Sequence, residues 1–175
     1  MTLHLVDIQV DLVEAWKEAF SPFPEVTVHL GDILQLAVNT IVSPANSHGL
    51  MDGGIDLQYR DFFGTEVQRR VLEVIRARPE GYLPVGAAAV VETGHPRVKY
   101  LVVAPTMEMP EAVPDAHAYR ALRAVLRHFG SDPIIGRDIY CPGLGTLTGR
   151  IPVTAAAREM ANAYRDWREA CRREI

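Results

Sequence analysis

Cysteine is scarce in this chain, which has only Cys141 and Cys171 among its 175 residues. Two cysteines cannot form the disulfide framework of a small secreted domain, and neither stands at a spacing from histidine that would make a zinc site. The N-terminus has no basic stretch followed by a long apolar run, and nothing later approaches about 18 consecutive apolar residues. We therefore expect a cytoplasmic protein that is neither exported nor membrane-spanning.

Positive charge is also in short supply, because 18 Lys and Arg stand against 22 Asp and Glu and leave a formal net charge of -4. Neutralising several phosphates of a duplex normally needs clustered basic residues. Four arginines do cluster within residues 69–78, but their helical spacing favours a solvated helix face. We expect no extended nucleic-acid surface.

Several catalytic signatures are missing as well. The chain has no GxSxG elbow, no GK[ST] P-loop, no HExxH pair and no CxxC pair. Serine hydrolase, NTPase, metalloprotease and redox chemistry therefore have no anchor in the sequence. What remains is an ordinary globular composition, 48% hydrophobic and 23% charged, which we interpret as one domain over residues 1–175.

Predicted strands and helices alternate along the chain, which indicates an α/β fold: a three-layer α/β/α sandwich with a mixed, mostly parallel central sheet. A tight turn joins two apolar runs, 86–92 and 99–104, so this pair is expected to be antiparallel. The other predicted strands are residues 3–8, 26–30, 39–43 and 138–140. The predicted helices are residues 10–20, 55–77 with a possible break at Gly64, 114–130, and from 152 onward.

Three polar loops follow predicted strands. Residues 31–33 (GDI) follow VTVHL, residues 42–56 read VSPANSHGLMDGGID, and residues 141–149 read CPGLGTLTG after DIY. In open α/β sheets, ligands bind where loops converge at the carboxyl ends of strands. The three loops therefore predict one cleft.

Glycines in two of these loops point to phosphate binding. Gly53 and Gly54 stand directly before a predicted helix, where backbone N–H groups can approach a pyrophosphate and the helix dipole favours negative charge. A plain tight turn is the alternative. The late loop also runs from a strand to a helix, so the two loops could close on one diphosphate. Its candidate binding residues are Gly143, Leu144, Gly145, Thr146 and Leu147.

The order GDI, SPAN, GGID and a late glycine loop resembles a macro domain, and the resemblance covers residues 26–164. Macro domains bind ADP-ribose, and some hydrolyse ADP-ribosyl esters or deacetylate O-acetyl-ADP-ribose. The resemblance implies ADP-ribose or an ADP-ribosylated macromolecule as partner, with no metal or dissociable cofactor needed. A reader module that binds without turnover is the alternative.

The resemblance also implies roles for single residues. Asp32 would accept a hydrogen bond from the adenine amino group, with backbone recognition by Ile33 beside it. Asn46 would hold the distal ribose hydroxyls, and Asp56 would position or activate water at the anomeric carbon as a general base. Each polar residue also has a local interpretation: Asp32 can cap a short helix, Asn46 can cap its own turn, and Asp56 can complement a helix dipole.

The chain departs from the family pattern at several positions. Ser43 stands where an amide is usual, Asp52 replaces a glycine, and Leu147 occupies the late loop where an aromatic residue is common. Arg150 could offset negative charge there. His48 lies in the ligand loop and could donate a proton, but a solvent-facing turn residue is the favoured interpretation. The segment 105–114 either forms a wall of the cleft or is a plain surface connection.

Overall fold

The computed structural model describes residues 2–131 and 133–173. Within them, strands and helices alternate along the chain in the predicted way. The strands are β1 (Thr2–Asp7), β2 (Thr27–Leu30), β3 (Asn39–Ser43), β4 (Ala89–Glu92), β5 (Val98–Val103) and β6 (Asp138–Cys141). The helices are α1 (Val10–Ala19), α2 (Ile33–Leu36), α3 (Gly54–Phe63), α4 (Thr65–Arg76), α5 (Ala116–Ser131) and α6 (Val153–Arg173), with a 3₁₀ turn over Pro133–Ile135.

The strands form one mixed sheet in the order β2-β1-β6-β3-β5-β4. Every neighbouring pair is parallel except β4 and β5, which pair antiparallel at one edge. The predicted antiparallel pair is therefore confirmed, as is the mostly parallel sheet. Because parallel strands share one direction, the loops after β1, β2, β3 and β6 leave the sheet at the same edge.

Helices cover both faces of this sheet, which confirms the three-layer α/β/α fold. On one face α1 packs against β1 and α6, and α6 packs against α5; Trp16 of α1, Leu122 of α5 and Leu3 of β1 belong to one buried cluster. On the other face α4 packs against α3 and the edge strand β4, and Tyr59 of α3 and Val71 of α4 are buried in a second core cluster. Apolar residues spaced three or four apart give each helix the buried stripe that this packing needs.

Local backbone geometry sets two of the element boundaries. Gly64 takes a φ of +91° between α3 and α4, a conformation that favours glycine, so the predicted break in the helix is confirmed. The strand predicted from residue 86 begins only at Ala89, because the Ala87 amide closes a turn onto the Pro84 carbonyl. Among the described residues, each helix is too short or too polar to cross a membrane.

Candidate functional site

A cleft of about 370 Å³ opens at the carboxyl edge of the sheet. It lies within the range of volumes typical of small-molecule sites. Of the predicted site residues, all but Leu144 line it: Asp32, Ile33, Asn46, Gly53, Gly54, Asp56, Gly143, Gly145, Thr146 and Leu147. The three loops do converge, as their positions after parallel strands predict.

The late loop presents a row of backbone amides to the cleft. Residues 145–149 all line it, and within the described parts of the chain their amides donate no hydrogen bond. The Arg150 and Ile151 amides, by contrast, donate to Leu147 and Gly145, which closes the turn. Consecutive amides without acceptors form a concavity that suits an anion.

Two predicted members of the late loop are engaged elsewhere. The Gly143 amide donates to Asp7 Oδ2 at 3.0 Å, so this N–H is not available to a phosphate. The Leu144 side chain is fully buried in the core cluster and anchors the loop instead of facing the cleft. Burial of this leucine removes apolar surface from water, which is the physical reason that it points inward.

The N-terminus of α3 faces the late loop across the same cleft. Gly53 caps the helix and Gly54 begins it with a φ of +57°. A Cβ atom at either glycine would meet nothing within 4 Å, so the space beside both is open. The first amides of a helix have no intrahelical acceptor, and the helix dipole adds partial positive charge.

Asp56 lies in the first turn of α3 and is buried, with 6% of its surface exposed. Ser43 at the end of β3 donates a 2.6 Å hydrogen bond to Asp56 Oδ1. Burial raises the pKa of this carboxyl group to about 6, although the Ser43 hydrogen bond acts in the opposite direction. A carboxyl group with this pKa is mostly ionised at neutral pH and remains basic enough to accept a proton.

Asn46 is tied into its own turn, which confirms the local interpretation. Its Oδ1 accepts hydrogen bonds from the His48 and Leu50 amides, and its Nδ2 donates to the Leu50 carbonyl at 2.9 Å. A carboxamide has two N–H donors, so one remains for a ligand. His48 does not line the cleft.

Asp32 caps α2, which confirms its local role. Its Oδ1 accepts from the Leu34 amide at 2.8 Å, while the residue itself is exposed at the cleft. Ile33 beside it has a buried side chain, so its backbone is the part available to a ligand. The capping oxygen leaves the second carboxylate oxygen of Asp32 without a partner in the described chain.

The segment 105–114 forms a wall of the cleft through its first half. Thr106, Met107 and Pro110 line the cleft. This wall is fixed along the loop after β3, because the Thr106 amide donates to Ala45 and the Ser47 amide donates to Met107. The wall therefore stands beside Asn46, with which Met107 forms a bridge.

The ionisable side chains that line the cleft are all acidic: Asp7, Asp32, Asp52 and Asp56. No Lys, Arg or His belongs to the described lining, and Arg150 in particular does not reach it. Attraction for an anion must therefore come from backbone amides and the α3 dipole. No group of three or more described His, Cys, Asp or Glu residues could hold a metal ion.

The β1–α1 turn is the part of the cleft that the sequence did not reveal. Asp7 and Ile8 line the cleft beside the late loop. They stand near the N-terminus, and no local motif marks them. The one available signal was an acidic residue near the end of an apolar strand, because the other cleft residues stand at or just after strand ends.

A family model described as Macro domain matches residues 42–160 of this chain. The chain belongs to the macro domain family. An uncharacterized protein of Aquifex aeolicus is 32% identical over 153 residues, which cover 86% of this chain and 87% of that protein. An uncharacterized protein of Aeropyrum pernix is 30% identical over 139 residues, which cover 79% of this chain and 69% of that protein.

Solved macrodomains share the fold. The macrodomain of Mycobacterium tuberculosis DarG has a TM-score of 0.67 at 22% identity, covering 78% of this chain and 87% of its own. An Oceanobacillus iheyensis macrodomain mutant with ADPR has a TM-score of 0.67 at 18% identity, covering 77% and 73%. The Trypanosoma brucei macrodomain in complex with ADP-ribose has a TM-score of 0.61 at 18% identity, covering 76% and 53%.

Proposed function

We propose that this macro domain binds ADP-ribose or a derivative of it in the cleft. The observation that carries the proposal is the pair of opposed backbone surfaces: five consecutive late-loop amides without acceptors face the N-terminus of α3. Such surfaces bind phosphate without basic side chains. The family, and solved relatives with bound ADP-ribose, support a nucleoside diphosphate sugar as the ligand.

Different cleft residues bind the adenine, the distal ribose and the phosphates. The free carboxylate oxygen of Asp32 accepts from the adenine amino group, and the Ile33 backbone lies beside the ring. Asn46 donates its remaining N–H to a distal ribose hydroxyl. The phosphates contact the amides of Gly53, Gly54, Gly145, Thr146 and Leu147.

We further propose that the cleft hydrolyses a bond at the distal ribose. Ser43 holds one oxygen of Asp56, which leaves the other to accept a proton from water as the water attacks the anomeric carbon. The carbon–oxygen bond to the acceptor breaks, and its electron pair leaves with the acceptor. The deprotonated Asp56 is the active form, so the rate should fall below about pH 6.

The leaving group that suits this reaction best is a carboxylate joined to the distal ribose by an ester bond. Protonating a poor leaving group such as an amine requires a general acid, and the described lining of the cleft offers no Lys, Arg or His for this task. A carboxylate leaves as a weak base, since its conjugate acid has a pKa near about 4. ADP-ribosylated Asp or Glu of a macromolecule, or an ADP-ribose with an acyl group esterified at the anomeric carbon, is therefore the proposed substrate class.

Calorimetric titration with ADP-ribose tests the binding proposal, and saturable heat is the expected result. Hydrolysis is tested by incubating the wild type and Asp56→Asn with an ester-linked mono-ADP-ribosylated acceptor. We expect Asp56→Asn to lose about 10²–10⁴-fold in rate while keeping ADP-ribose affinity, because only the proton transfer is removed.

Asp61→Asn is the matched control, since Asp61 is an exposed carboxylate on the same helix and does not line the cleft. It should hydrolyse at the wild-type rate. Equal rates for wild type and Asp56→Asn would refute the general-base role.

The second candidate function is a reader module that docks on ADP-ribosylated macromolecules without turnover. The three hydrogen bonds that hold the Asn46 amide in its turn favour it, because this side chain is partly committed to structure. Saturable ADP-ribose binding with no release from any acceptor would establish the reader. In both cases a cytoplasmic location stays a prediction.

A further inference from the structure

The β1–α1 turn is tied to the late loop by side chains that have no role in the proposed chemistry. Asp7 Oδ2 accepts from the Gly143 amide at 3.0 Å. Gln9 Nε2 donates to Thr146 Oγ1 at 3.3 Å and to Asp7 Oδ1 at 3.2 Å. The Gln9 amide also donates to Asp7 Oδ1 at 3.0 Å. These two side chains therefore link both ends of the 143–146 segment to the end of β1.

We propose that Asp7 and Gln9 are positioning residues for the phosphate-binding loop, fixing Gly143 and Thr146 so that the amides of residues 145–149 face the cleft. This inference rests on the proposed function. Both residues lie outside the segment 42–160 that matches the family model, so the assignment concerns this chain and is not transferred from the family.

The negative charge of Asp7 and its positioning role should have opposite effects on ligand affinity. A carboxylate that lines an anion-binding cleft repels phosphate, so its charge alone disfavours the ligand. The same carboxylate accepts a charge-assisted hydrogen bond that orders a glycine-rich turn. Because the turn is ordered in advance, less entropy is lost when the ligand binds. The two effects have opposite signs, and a substitution can therefore separate them.

Packing around Gly143 shows that the turn has little room for another arrangement. A Cβ atom at Gly143 would lie 2.6 Å from a Leu12 methyl group, 2.7 Å from Thr146 Oγ1 and 3.0 Å from Asp7 Oδ2. The loop thus fits tightly against the β1–α1 turn. Its position is set by contacts with both Asp7 and the first turn of α1.

The test compares Asp7→Asn and Gln9→Ala with wild type in titrations with ADP-ribose and with adenosine, which lacks phosphates. An asparagine at position 7 has one acceptor oxygen and cannot serve both the Gly143 and the Gln9 amide. We expect both variants to bind ADP-ribose about tenfold more weakly at an unchanged melting temperature, with adenosine affinity unchanged. A merely structural role would not select between these ligands.

Asp11→Asn is the matched control, because it removes the same charge from α1, and within the described residues the Asp11 side chain hydrogen-bonds only to the Leu12 amide. It should bind ADP-ribose as wild type does. Tighter ADP-ribose binding by Asp7→Asn would show that charge repulsion dominates and would overturn the inference, and so would unchanged affinity in both variants.

Amide NMR spectra of the ligand-free proteins separate this inference from the proposed function. The Gly143 resonance should shift in Asp7→Asn and the Thr146 resonance in Gln9→Ala, since each loses a direct contact. Wild type that binds no ADP-ribose would refute the proposed function alone. The spectra then decide the inference, because unshifted resonances refute the link and shifted ones support it.

Discussion

Asp56 is a carboxyl group that the fold keeps at a cost in stability. Desolvation disfavours its charged form, and the single 2.6 Å hydrogen bond from Ser43 compensates only in part. The Tyr59 hydroxyl, three residues later on α3, donates its hydrogen bond to the Val42 carbonyl and not to Asp56. A buried carboxyl group whose pKa is raised above its ordinary value is a recurring feature of catalytic sites.

The pH dependence of stability should report this cost. Burial raises the pKa of Asp56 to about 6 in the folded state, from its ordinary value of 3.8. Between these values the folded protein holds a proton that the unfolded chain has lost, so the contribution of Asp56 to stability falls as pH rises. We expect this loss to reach about 3 kcal/mol by about pH 7.

Urea unfolding of wild type and Asp56→Asn between about pH 4 and about pH 7 measures this loss of stability. The asparagine amide cannot ionise, so the free energy of unfolding of Asp56→Asn should increase relative to that of wild type as pH rises. Asp61→Asn removes an exposed carboxylate from the same helix and should follow wild type. Parallel pH curves for wild type and Asp56→Asn would contradict the raised pKa.

At the scale of elements, two glycines mark the ends of α3. Gly54 at its N-terminus and Gly64 after its C-terminus both have positive φ, and at both a Cβ atom would meet nothing within 4 Å. Gly54 lines the cleft and Gly64 does not. Substitutions at both sites therefore strain the backbone, and Gly64, with φ +91° and ψ +164°, lies in a region that is almost restricted to glycine. Only the substitution at Gly54 also reaches the space of a ligand.

We expect Gly54→Glu to abolish ADP-ribose binding, because the side chain fills the space that a phosphate would occupy and adds a negative charge. Gly64→Glu should lose about 1–3 kcal/mol of stability from backbone strain and retain binding. Calorimetry measures the affinities and thermal unfolding measures the stabilities. Binding by Gly54→Glu at the wild-type level would place the ligand elsewhere.

Local patterns predicted these elements well but could not predict contacts between distant ones. The helix pattern with its break at Gly64 and the glycines before α3 are visible within a few residues of sequence. The Asp7–Gly143 hydrogen bond joins residues 136 positions apart, and nothing near either residue announces it. The inward turn of Leu144 was missed for a similar reason, since loop residues have no fixed periodicity that assigns each side chain to a face.

At the scale of the whole molecule, the fold extends beyond the segment that matches the family. The match begins at residue 42, yet β1 lies inside the sheet between β2 and β6. Leu3 and Leu5 on β1 and Trp16 on α1 are fully buried in the larger core cluster. The first two strands and α1 are therefore an integral part of the sheet and its covering layer.

We predict that a fragment of residues 39–175 does not fold cooperatively. Removing β1 leaves β6 without one of its two neighbours and exposes the apolar face of α6 that packs against α1. Far-UV circular dichroism during urea titration should show no sigmoidal transition for this fragment. Full-length Trp16→Ala should still unfold cooperatively, but with a free energy lowered by about 3–5 kcal/mol, because it leaves a large cavity at the same interface.

Val10→Ala provides the matched control for that series, since Val10 lies on the same helix with 60% of its surface exposed. Its unfolding free energy should remain within about 0.5 kcal/mol of wild type. A cooperative transition in the 39–175 fragment would show that the remaining strands suffice. The Asp7 and Gln9 contacts would then belong to an appended layer, and the late loop would have to hold its position without them.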